Sequence, residues 1–96
     1  MSSRFHEILG DLAVLHDRKA QDYGRKDDSL ANIRASAAFG VPAWIGALVR
    51  ANDKMVRLQR AARDGRIANE SVEDSLRDLA VYAIISLVLY EETHGK

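Results

Sequence analysis

A chain of 96 residues makes one domain and closes only a modest core by itself, so help from a partner copy is expected. Its 47% hydrophobic and 29% charged residues exclude a disordered or collagen-like chain. Fourteen basic residues balance fourteen acidic ones and cysteine is absent, which argues against a nucleic-acid polymer or an anionic membrane as partner and excludes disulfides, thiolate metal sites and cysteine nucleophiles.

The first residues, Met1 to Glu7, lack a basic-then-apolar signal pattern, and the longest apolar stretch, Leu79 to Tyr90, is shorter than a membrane span. A cytoplasmic protein with no membrane partner is expected. From Phe5, the residues Ile8, Leu9, Leu12 and Leu15 recur at three and four, which predicts an amphipathic helix over about 3–23. His16, Lys19 and Tyr23 continue its face, Gly24 is a natural stop, and Arg25 to Asp28 reads as a polar connection. Asp28 or Ser29 can cap a short second helix, about 29–38, ended by Gly40.

Pro42 suits the first turn of a third helix, about 42–63, which is predicted to bury Trp44, Ile45, Leu48, Met55 and Val56 before Asp64-Gly65 breaks it. Arg50, Asp53, Lys54 and Arg57 share its opposite side, whereas the amides of Asn52 and Gln59 fall on the apolar side and need partners. Ser71 offers an N-cap, with Asp74 three residues on and Glu73 at the positive end of a fourth helix, about 71–92. That helix carries two apolar faces. One holds Val81, Tyr82, Ile85 and Leu89 in line with Asp74 and Asp78; the other holds Val72, Leu76, Leu79, Ala83 and Leu87. The expected architecture is all-α, a single domain over 1–96 made of three long helices and one short one, with the second face directed at another subunit of a homo-oligomer.

Asp74 and Asp78 are carboxylates one turn apart on a face that becomes buried, so they must be hydrogen-bonded, paired or bound to a cation such as Mg²⁺. The structural alternative has Asp74 capping its helix and Asp78 pairing with Arg50 or Arg57. Lys19 on the stripe of helix one either extends along its stem to water or meets an anion, and Tyr23 either packs or stacks on a ligand. The stripe Arg50, Asp53, Lys54, Arg57 is either a solvated face or a holder of phosphate oxygens, with Asp53 orienting a base or ligating a metal. No phosphate-loop, dinucleotide-binding, zinc-protease or serine-elbow motif is present, and His6, His16 and His94 are far apart in the chain.

The segments Lys19-Ala20-Gln21-Asp22-Tyr23-Gly24, Leu30 to Arg34, Arg50-Ala51-Asn52-Asp53-Lys54 with Arg57-Leu58, and Glu70 to Ala83 together resemble the small phage proteins of the nucleotide-modification-associated domain, type one. The resemblance runs from about Phe5 to Glu92. That family is similar to the all-α nucleoside triphosphate pyrophosphatases of the MazG kind, whose helical E-x-x-E and E-x-x-D motifs bind Mg²⁺ around a nucleotide's phosphates. The resemblance implies that Asp74 and Asp78, with Glu70 or Glu73, stand for the second motif. The first motif is missing, since helix three offers Asp53 beside Lys54 rather than paired glutamates.

Three expectations follow. The first is a phage protein in the host cytoplasm whose Lys19, Tyr23, Arg50, Lys54 and Arg57 hold a linear or cyclic nucleotide without cleaving it, by analogy with small helical phage proteins that sequester the nucleotide signals of host defence. The second is an Mg²⁺-dependent pyrophosphohydrolase with metal on Asp53, Asp74 and Asp78. The third is a structural oligomer without ligand.

Overall fold

The structure, a computed structural model, describes the backbone of residues 3–23, 31–65 and 71–96, and their side chains apart from those of 19–23, 31 and 32. Apart from short turns, the described chain is helical throughout. Helix α1 spans Ser3–Tyr23, α2 Ala31–Arg34, a 3₁₀ helix Ala35–Phe39, α3 Ala43–Asp64 and α4 Val72–His94. The chain divides into two compact units, Met1–Asn32 and Ile33–Lys96. None of the described helices is long and apolar enough to cross a membrane.

In the first unit α1 is described over Ser3–Tyr23; Leu12 on its apolar stripe is buried, while Phe5 and Leu9 are exposed. The stop at Gly24, the polar connection and the cap expected at Asp28 or Ser29 lie outside the described residues.

Among the described residues, the short helix expected over about 29–38 is α-helical over Ala31–Arg34 and then tightens into the 3₁₀ turn rather than staying α-helical to Ala38. No residue of that turn is buried, so packing does not hold it in the wider α geometry. Local bonds close it instead. Gly40, at φ 78°, donates its N–H to the Ala37 carbonyl at 3.0 Å, and the Ser36 hydroxyl donates to the Val41 carbonyl at 3.2 Å.

Pro42 stands just outside α3 as its N-cap, and its carbonyl accepts the N–H groups of Ile45 and Gly46, both at 3.0 Å. Gly65, at φ 79°, ends the helix by donating to the Ala61 carbonyl at 2.7 Å, a left-handed conformation that side chains disfavour. At the start of α4 the Ser71 hydroxyl accepts the Asp74 N–H at 3.0 Å, with Glu73 and Asp74 at the positive end of the helix.

Helices α3 and α4 pack as an antiparallel hairpin, and the packed face of α3 is a correction. Leu48, Met55 and Val56, expected in the core, are exposed, and Trp44 and Ile45 are half-buried; the buried residues are Ala47 and Ala51. Small side chains let the two backbones approach closely. Opposite them α4 buries Ser75 completely, together with Ser86, Ile85 and Leu89. The Ser86 hydroxyl spans the gap and donates to the Trp44 carbonyl at 2.9 Å. Of the two faces predicted for α4, the one with Asp74, Asp78, Val81, Tyr82, Ile85 and Leu89 is buried or half-buried except at Asp74, which is exposed. On the other, Val72, Leu76, Ala83 and Leu87 are exposed and Leu79 is half-buried.

Candidate functional site

The antiparallel register that joins Ser86 to Trp44 brings the middle of α3 beside the first half of α4. There the Lys54 ammonium lies 2.9 Å from a carboxylate oxygen of Asp78, with the two side chains only 16% and 14% exposed. Asp78 is thus paired with a cation of α3, but with Lys54 rather than Arg50 or Arg57. Lys54 turns into the helix–helix junction and does not lie on a solvated face.

Arg50 precedes Lys54 by one turn and Arg57 follows it by three residues, on the same flank of α3. Arg50 is exposed and Arg57 half-buried. Neither makes a hydrogen bond or ion pair to another described residue. Their guanidiniums therefore keep five N–H donors each for a planar anion. Asp53, beside Lys54 in sequence, is exposed.

The three carboxylates expected to hold metal have different surroundings. Asp78 is held by Lys54, Asp53 is exposed, and Asp74, its side chain 63% exposed, lies 3.7 Å from Arg77 on its own helix. Among the described residues no group of three His, Asp or Glu side chains comes together. The described acids do not fit the carboxylate cage of the pyrophosphatases, and no metal-borne step is derived from them. Lys19 and Tyr23 lie near the end of α1, and their side chains are outside the described ones, as is Glu70.

No family model, curated protein or solved structure matches this chain. What can be said of the site therefore rests on its own chemistry.

A second cluster escaped the sequence reading. At the far end of the hairpin Trp44 meets Tyr90 edge-on, with ring centroids 5.2 Å apart, and Tyr90 stacks on His94 at 3.8 Å. Nearby in the chain, both terminal guanidinium nitrogens of Arg34, Nη1 and Nη2, donate to the Glu92 carboxylate, Nη2 at 2.9 Å. The i, i+4 spacing of Tyr90 and His94 was a usable signal. The Arg34–Glu92 pair spans 58 residues, and no local pattern announces it.

Proposed function

We propose that this protein binds a phosphorylated nucleotide or a nucleotide-derived signal, linear or cyclic, through Arg50 and Arg57 on α3, and holds it without hydrolysing it. One observation carries the reading: two guanidiniums with no described partner flank a lysine that is already committed to Asp78. The seven-residue separation of the arginines corresponds to about 10 Å along the helix, within reach of neighbouring phosphate groups by two long side chains. Between them the Lys54–Asp78 ion pair is close to neutral, so the two arginines carry the anion. Sequestration of a host-defence signal by a phage protein is the biological reading that fits binding without turnover.

The hydrolytic alternative requires carboxylates free to gather Mg²⁺, and Lys54 occupies Asp78. The test is mass spectrometry of small molecules released when the purified protein is denatured. A phosphorylated nucleotide released from the parent and lost from the Arg50→Ala/Arg57→Ala double variant supports binding. Release of a non-phosphorylated molecule, or equal release from the double variant, contradicts it. Accumulation of monophosphate and pyrophosphate from a nucleoside triphosphate with Mg²⁺ would replace the reading by hydrolysis.

A further inference from the structure

The α3–α4 hairpin leaves one side apolar and exposed, and the pattern on it is not random. Along α3 the residues Ile45, Leu48, Asn52, Met55 and Gln59 follow one another at intervals of three, four, three and four. This is the spacing of a seam that packs against another helix, with an asparagine at its middle, the position where a polar residue fixes register between helices. The face that α3 turns to α4 is a different one, centred on Ala47 and Ala51, roughly 100° away around the helix. Apart from Ile45, which is half-buried, the seam is exposed.

Helix α4 extends the same surface. Leu76 is 51% exposed and Leu87 58% exposed, and both stand roughly 100° or more beyond the line of Ser75, Ser86 and Leu89 that meets α3. Because the helices are antiparallel, equal rotations away from their shared line in the two chain directions lead to the same side of the hairpin. One helix pair of this length presents a face about 33 Å long and about 19 Å wide, on the order of 600 Å². That approaches the roughly 800 Å² per partner of a stable protein–protein interface.

We infer that this face is the contact between two copies of the chain, joined about a two-fold axis that passes near Asn52. A second copy presents the same seam with no net charge to repel the first, since basic and acidic residues balance. Two hairpins facing each other bury Leu48, Met55, Leu76 and Leu87 in a four-helix arrangement, and the two Asn52 amides satisfy one another across the axis. The inference is independent of the nucleotide reading, because Arg50 and Arg57 lie on the other flank of α3.

The absence of cysteine gives a clean test, since any introduced thiol is unique. In light scattering after size exclusion, the parent should have twice the 10.7 kDa chain mass, and Leu48→Glu/Leu76→Glu should have the single-chain mass with unchanged helical circular dichroism. Mild oxidation of Asn52→Cys should give a disulfide-linked dimer, while Arg60→Cys, exposed and roughly 100° around the helix from the seam, should not. A monomeric parent overturns the inference, as does a dimer that persists in the double glutamate variant. Equal cross-linking at positions 52 and 60 overturns the placement of the axis. None of these results depends on nucleotide binding.

Discussion

Removing the charge of Asp78 while keeping its shape, by Asp78→Asn, tests the junction on which the candidate site is built. At 2.9 Å, and with an effective dielectric constant of about 20, the gross attraction between Lys54 and Asp78 is roughly 6 kcal/mol. Desolvation takes back much of it, because both side chains are mostly withdrawn from water. An exposed pair contributes up to about 1 kcal/mol, and breaking a buried one costs about 3–5, so this half-buried pair should cost roughly 2–3 kcal/mol when one partner is lost. For a domain of this size that lowers the melting temperature by about 10–20 °C. Urea unfolding of Asp78→Asn, Lys54→Met and the double variant isolates the pair from the other contacts of each residue. The double variant should lose less than the sum of the singles, with a coupling of at least about 1 kcal/mol. Strictly additive losses, or an Asp78→Asn variant as stable as the parent, would refute this account of the junction.

Other substitutions probe the elements that position the site. A Cβ added at Gly46 would lie 2.6 Å from the Ser36 hydroxyl oxygen and 2.9 Å from its Cβ, so Gly46→Ala should destabilise by about 1–2 kcal/mol despite alanine's better helix propensity. Its urea midpoint should rise again when Ser36→Gly is added; no recovery would show that the contact is not the cause. Ser71→Ala removes the acceptor of the Asp74 N–H and should cost about 1 kcal/mol in the same assay. A loss that instead appears in Asp74→Ala with Ser71→Ala silent would assign the cap to the wrong residue.

The ends of the helices were legible because they are set by local chemistry. Ser71 with Asp74, Gly65 after Asp64, and Pro42 before Ala43 each act within one turn. The packed face of α3 was not legible. Periodicity marks Leu48, Met55 and Val56 as an apolar stripe, but it does not say whether the stripe meets a neighbour in the same chain. Closeness at Ala47 and Ala51 decided that, and small residues give little hydrophobic signal. The partner of Asp78 was missed for a related reason. Arg50, Lys54 and Arg57 lie within two turns, and only the antiparallel register selects the lysine. The acids seemed to form one group in sequence because Asp74 and Asp78 are one turn apart, yet Asp74 sits at the exposed helix start and Asp78 in the junction.

Whether Arg50 and Arg57 hold a phosphate-bearing ligand is decided by isothermal titration of the full chain with a panel of linear and cyclic nucleotides beside the corresponding nucleosides. Heat is expected with at least one phosphorylated member and none with its nucleoside. Each of Arg50→Ala and Arg57→Ala should weaken that binding by about tenfold or more, as the loss of a charge-assisted hydrogen bond implies. Absence of heat across the panel, or binding that both arginine variants leave unchanged, would contradict that role of the arginines.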